Sequence, residues 1–359
     1  MNINICFSSD NNYVQHLCVA IASILKNAGK DDDLSFFIFD GGINDDNKNN
    51  ILKLKTIKEF NVEYINIDAS VFENLPNFSN YISNATYFRF KIASLLPNID
   101  KIIYMDCDIV VLGSLKELFD ENIEDYHMAG VEDIGYYLHR RGLKRETESF
   151  YINAGIILMN LKKWRQDNIE KKLLSFSSIS KEKLVHADQD IINKVLNKTC
   201  KPMDLKWNVQ DSFYRVVSYM EKHPLMKNIK NAWKNPFIIH YTGEKKPWNI
   251  PYMPYGIYYV KYLKYTPFVK EYDALANKKM FLRDKIYSLV IKYYFFVKFL
   301  ISPIIEVCNE EYFLDIKIFK RFNLRFEKII EENTITICFF GIKIKKQRKT
   351  GKISFGIGK

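Results

Sequence analysis

The chain has 359 residues, enough for one large or two modest domains, and its 47% hydrophobic and 26% charged content excludes intrinsic disorder for its bulk. Lys and Arg number 53 against 42 Asp and Glu, a formal charge of +11 that suits an anionic partner. Most of that excess is local: residues 281–359 hold 16 Lys/Arg and 8 Asp/Glu, hence +8, and the near-neutral remainder argues for an anionic membrane surface rather than nucleic acid.

In chain order, Ile3–Ser8 reads as a buried strand, followed by a helix over Val14–Lys26 with Asn11 or Asn12 near its N-cap. Leu34–Asp40 is a second strand ending in Gly41-Gly42. Asp45–Phe60 has a polar helical pattern, and Val62–Ile67 is a third strand. Lys101–Tyr104 and Val110–Leu112 flank an acidic break, and Ala154–Met159 and Pro236–Tyr241 are later apolar runs. Strands alternating with helices predict a mainly parallel sheet covered on both faces, with ligands at the carboxyl ends of the strands. The division expected is a catalytic domain over 1–270 and a basic, aromatic region over 271–359.

That second region contains Lys285–Val307, an apolar run interrupted by Lys292 and Lys298 and kinked by Pro303, which favours an interfacial or docked helix over a membrane span. Strand-like alternations follow, ending in a basic terminus. Six scattered cysteines show no CxxC or Cys/His ligand spacing, so neither a zinc site nor a disulfide framework is indicated. MNINICFSSD carries no basic segment ahead of an apolar one. The expectation is a protein of the reducing cytoplasm, attached peripherally to the inner face of the cytoplasmic membrane.

Three segments carry chemistry. In KIIYMDCDIVVLG, a strand runs into Asp106-Cys107-Asp108, whose carboxylates repel unless a divalent cation lies between them. The alternative is a solvated acidic turn. In PFIIHYTGEKKPW, a strand delivers His240, a good ligand for an Mn²⁺-like ion, ahead of Gly243 and Lys246, which suit close approach to phosphate. In CFSSDNNY, small Ser8 and Ser9 open into a helix N-terminus where phosphate is favoured, with Asp10, Asn12 and Tyr13 at hand for a ribose or base. Simple capping by Asp10 or Asn12 is the competing account.

Together with ATYFRFKIASLLP, YINAGIILMNLKKWR and HADQDIINKVLN, these segments resemble glycosyltransferase family 8, the retaining GT-A enzymes, over about residues 1–265. The resemblance implies an α/β, Rossmann-like nucleotide-diphospho-sugar transferase fold with a C-terminal helical and β-rich membrane-proximal region. It implies Asp106, Asp108 and His240 as ligands of Mn²⁺ or Mg²⁺. Ser8, Asp10, Asn12 and Tyr13 would face uridine, and Gly243 with Lys246 the diphosphate. Arg89, Asn153, Asp188 and Gln189 would surround the donor sugar, with Asp133 reaching donor or acceptor. Gln189 and Asp188 would be the catalytic pair, although Asp188 as a cap of a helix Gln189–Leu196 is an alternative.

The implied reaction moves galactose or glucose from its UDP-sugar to a glycan acceptor, expected to be a lipid-linked oligosaccharide such as a lipopolysaccharide core. Retention requires a covalent intermediate or same-face attack, and no Asp or Glu is evidently placed as nucleophile. Two rivals remain. A sugar-nucleotide-forming nucleotidyltransferase would carry a Gly-rich basic segment after the first strand, which CFSSDNNY lacks. A binding protein without transferase activity would work through the basic tail alone.

Overall fold

A computed structural model describes residues 2–67, 84–135, 150–179, 186–213, 225–249 and 253–269, together with four strands between 326 and 357. The chain divides into two compact units, Met1–Leu289 and Val290–Lys359.

The first unit is built on a seven-stranded sheet. Its strands are β1 (Asn2–Ser9), β2 (Asp33–Asp40), β3 (Asn61–Asn66), β4 (Lys101–Met105), β6 (Met128–Glu132), β7 (Ile152–Asn160) and β8 (Cys200–Pro202), in the order β3-β2-β1-β4-β7-β6-β8. Six run in one direction and β7 opposes both its neighbours, so the sheet is mainly parallel with one reversed strand. Eight of the nine β7 residues are buried, and a run buried on both faces reads alike in either direction. A second, three-stranded sheet joins β5 (Ile109–Val111), β9 (Val209–Gln210) and β10 (Ile238–His240).

Period-two alternation along β1 explains the two cores. Ile3, Ile5 and Phe7 pack on one face with helix α1 (Val14–Asn27), and Cys6 lies in a cluster on the other with Ile92, Trp164 and Ile191. Burying a side chain such as Phe7 stabilises the fold by about 1.5–3 kcal/mol. Helix α1 is apolar almost all round because its remaining side contacts a third cluster, where Val19 meets Val110, Tyr241 and Tyr259.

Two helical segments differ from expectation. Neither Asn11 nor Asn12 caps α1; both lie in a 3₁₀ turn, Asn11–Tyr13, whose cap is Asp10, and α1 begins after it. The polar segment from Asp45 is helical only to Leu52, then tightens into a 3₁₀ turn over Lys53–Thr56.

The second unit contains an antiparallel meander of β11 (Phe326–Glu331), β12 (Thr334–Phe339), β13 (Ile342–Gln347) and β14 (Ile353–Ile357). The apolar run Lys285–Val307 lies outside the described residues. Among the described residues, no helix is long and apolar enough to cross a membrane.

Candidate active site

The chain leaves the main sheet at the end of β4 and enters the small sheet three residues later, so Asp106-Cys107-Asp108 is the joint between the sheets. Pairing of His240 with Ile109 brings the end of β10 to the same joint. One oxygen from each aspartate and a ring nitrogen of His240 lie within 4.8 Å of one another. His240 Nε2 is 3.2 Å from Asp108 Oδ1 and 3.7 Å from Asp106 Oδ2. β1 ends beside this joint, at the point where the strand order reverses between β1 and β4, which is where open α/β sheets bind ligands.

The two carboxylates are held differently. Asp106 Oδ1 accepts from Tyr104 Oη and Arg89 Nη2, both at 3.0 Å, which leaves Oδ2 turned toward His240. Asp108 Oδ2 accepts from Lys246 Nζ at 2.6 Å, whereas its buried Oδ1 accepts no hydrogen bond. Burial would raise the Asp108 pKa, but the Lys246 ammonium beside it outweighs this and holds the carboxyl well below the usual range. Burial likewise opposes the charge on Lys246, and Asp108 more than restores it.

Two features suit these groups to a cation. A buried carboxylate oxygen without a donor, facing a ring nitrogen, gathers acceptors without protons between them. Gly155 on β7 closes the other side: a Cβ there would fall 2.1 Å from His240 Cε1 and 2.6 Å from Asp106 Oδ2. Two carboxylates and one imidazole form a hard oxygen–nitrogen donor set appropriate to Mn²⁺ or Mg²⁺.

Arg89 connects this cluster to a second polar group. It is buried on a 3₁₀ segment, Asn84–Lys91, rather than at the surface. Its guanidinium binds Asp106, pairs through Nε with Asp188 at 3.1 Å and lies over the Tyr104 ring. Burial opposes its charge, but Asp188, Tyr104 and Asp106 raise its pKa.

Asp188 does not cap the helix that follows. That helix starts at Ala187, its N-cap is His186, and the Asp188 carboxylate pairs with Arg89. Gln189 on the same turn accepts from the Ala154 N–H at 3.0 Å and from Asn153 Nδ2 at 3.2 Å, and donates to Asp133 at 2.8 Å. Asn153 lies within β7 instead of in a turn. The structure therefore brings Arg89, Asp133, Asn153, Asp188 and Gln189 together.

The β1–α1 segment supplies a third wall. Asp10 Oδ1 accepts from the backbone N–H groups of Asn12 and Tyr13, so this oxygen caps the turn. Tyr13 is 40% exposed and stands edge-on to His16 and Trp248, whose rings stack with centroids 3.6 Å apart. Ser8 is joined to the acidic joint through the Cys107 thiol, which donates to its carbonyl. Gly243 lies against Asp211, and Lys246 also donates to the Tyr241 carbonyl.

Several residues of this region were not singled out from sequence. Gly155 had a readable signal, an isolated glycine in an apolar strand, which often marks close approach of another group. Tyr104, Asn208, which lies 3.1 Å from His240 Nδ1, and Tyr151, whose hydroxyl accepts from Gln189 at 3.3 Å, had none, since an aromatic or amide beside an apolar run is ordinary.

The family described as Glycosyl transferase family 8 matches residues 4–250. General stress protein A of Bacillus subtilis is 30% identical over 253 residues, covering 69% of this chain and 87% of that one. Lipopolysaccharide 1,3-galactosyltransferase of Salmonella typhimurium is 30% identical over 259 residues, covering 68% and 73%. Among solved structures, the galactosyltransferase LgtC in complex with donor and acceptor sugar analogues matches with a TM-score of 0.66 at 26% identity, covering 74% of this chain and 96% of that chain.

Proposed function

The chain belongs to glycosyltransferase family 8, and from its GT-A fold and retaining hexosyltransferase activity we propose how its own residues divide the work. The donor is a UDP-sugar and the acceptor a glycan. Within those classes we assign the hexose as galactose or glucose and the acceptor as a lipid-linked oligosaccharide. Names of relatives support this assignment, among them lipopolysaccharide 1,3-galactosyltransferase and Lipopolysaccharide glucosyltransferase WaaO of Escherichia coli.

Convergence of Asp106, Asp108 and His240 within 4.8 Å, beside Lys246, carries the proposal. These three residues hold a divalent cation, Mn²⁺ or Mg²⁺, which when bound neutralises charge building on the diphosphate. Lys246 adds a second positive charge at the same place, and Gly243 lets the backbone approach the phosphates. Tyr13 offers an exposed ring face to the uracil, while Ser8, Asp10 and Asn12 line the ribose side.

Asp188, Arg89, Asn153 and Asp133 fix the hexose, and Gln189 lies beneath it as positive charge develops at the anomeric carbon. Asp133, which accepts from Gln189, and Asp188, which precedes it in the chain, are both engaged by neighbours. That favours same-face attack, with a diphosphate oxygen receiving the acceptor proton.

The 271–359 region would bring this domain to the acceptor at the inner membrane face. Its composition supports that role, with a net charge of +8 over residues 281–359. A basic, aromatic region suits an anionic leaflet.

The test is a panel of nucleotide sugars scored for hydrolysis with and without Mn²⁺. UDP-galactose or UDP-glucose should be cleaved only with metal, and Asp108→Asn should abolish the metal dependence of UDP binding. Metal-independent cleavage, or unchanged Mn²⁺-dependent UDP titration in Asp108→Asn, would sink the assignment.

A further inference from the structure

Asn208 immediately precedes β9 and is completely buried, although nothing in its sequence context marks it as functional. Its side chain makes two hydrogen bonds whose polarity can be worked out. The Gly155 N–H donates to one side-chain atom of Asn153 at 3.1 Å, and because a backbone N–H can only donate, that atom is Oδ1. Asn208 approaches the same oxygen at 2.9 Å and must therefore present its NH₂ group. Its remaining atom, Oδ1, then faces His240 Nδ1 at 3.1 Å, so Nδ1 carries the proton. Nε2 is left toward Asp106 and Asp108.

The other end of the relay is fixed the same way. The Ala154 N–H sets Gln189 Oε1 as acceptor, so Gln189 Nε2 donates to Asp133. Two successive backbone N–H groups of β7 thus orient every amide from His240 to Asp133.

We propose that Asn208 is a positioning residue: its carbonyl oxygen holds His240 in the tautomer that offers Nε2 to a cation, and its NH₂ group ties that site to Asn153 in the hexose pocket. The role requires the cation at Asp106, Asp108 and His240 assigned above. Partners that orient a ligating histidine typically change metal affinity by about 10–100-fold when removed.

The experiment titrates Mn²⁺ into the full-length chain in the presence of UDP, following the free-ion electron paramagnetic resonance signal. Asn208→Leu keeps the volume and removes both hydrogen bonds, and it should weaken Mn²⁺ by about 10–100-fold. Asn208→Asp keeps an acceptor for the Nδ1 proton and loses the donor to Asn153. It should bind Mn²⁺ within about threefold of the unaltered chain, while UDP-hexose turnover falls at least about tenfold, because the hexose pocket loses its tie.

Unchanged Mn²⁺ affinity in Asn208→Leu overturns the proposal, as does an equal loss in both variants, which would mean packing alone matters. Should Asn208→Leu lack a cooperative melt, Asn208→Ser carries the same comparison, since its hydroxyl is too short to span both partners. Asp108→Asn separates the two assignments. If it loses Mn²⁺ and Asn208→Leu does not, the cation site stands and the role of Asn208 falls. If the unaltered chain binds no Mn²⁺ with UDP, both fall.

Discussion

Gly155 touches His240 where no other residue would fit: a Cβ on Gly155 would fall 2.1 Å from His240 Cε1 and 2.9 Å from Nε2. The same glycine accepts the Asp106 N–H through its carbonyl at 2.8 Å. One backbone position thus sets the spacing of two proposed metal ligands. Gly155→Ala should displace His240 and weaken Mn²⁺–UDP binding by more than about tenfold, while overpacking costs about 1–3 kcal/mol of stability. Calorimetric titration beside a urea melt checks this; full Mn²⁺ affinity would show that the neighbours relax.

Arg89 is the cation that pairs with both Asp106 and Asp188, and removing it takes a buried positive charge away from two carboxylates. Arg89→Met should destabilise the chain by about 3–5 kcal/mol in urea unfolding. Arg89→Lys should recover little, because an ammonium cannot make the fork that reaches both carboxylates while lying over the Tyr104 ring. Near-complete recovery by lysine would reduce the role of Arg89 to simple charge balance.

Gln189 accepts from β7 and donates to Asp133, so it is rigid before any sugar arrives. Gln189→Ala should lower kcat on the order of 100-fold, about 2.7 kcal/mol, with UDP affinity little changed. Single-turnover kinetics and UDP titration together decide. Matching losses in both would place Gln189 in the nucleotide site or in folding.

His16 gives a pH prediction. Burial, including its stack on Trp248, lowers its pKa from 6.5 to about 4. The unfolded chain therefore takes up this proton near pH 6.5, whereas the folded chain takes it up only near pH 4. Stability linked to His16 is complete above pH 6.5 and is lost as pH falls from 6.5 to 4. Unfolding midpoints measured across that window should decline less steeply in His16→Gln than in the unaltered chain. Parallel curves would assign the acid sensitivity elsewhere.

Membrane attachment through the 271–359 region predicts that the full chain pellets with membranes and is released by high salt or alkaline carbonate. Each basic residue near an anionic leaflet contributes about 1 kcal/mol, so replacing Lys343, Lys345 and Lys346 by Gln should shift the chain toward the soluble fraction. Retention through carbonate would indicate a spanning segment, and a soluble unaltered chain would leave the region only a packing role.

Local residue patterns carry much of this fold and part of the proposed site. Apolar runs such as Ile3–Ser8 and Leu34–Asp40, separated by helical patterns, specify the α/β class, because period and burial are written locally. The proposed ligands Asp106, Asp108 and His240 were legible because ionisable residues at or directly after the ends of apolar strands are unusual, and Lys246 because it follows the strand that ends in His240. Relations between distant segments emerge only on folding. The reversal of β7 leaves no mark in a strand buried on both faces. Asp188 reads equally well as a cap until Arg89, 99 residues earlier in the chain, is seen to claim it. Asn208 became meaningful only through partners 55 and 32 residues away, since the polarity of an amide relay depends on which backbone N–H begins it.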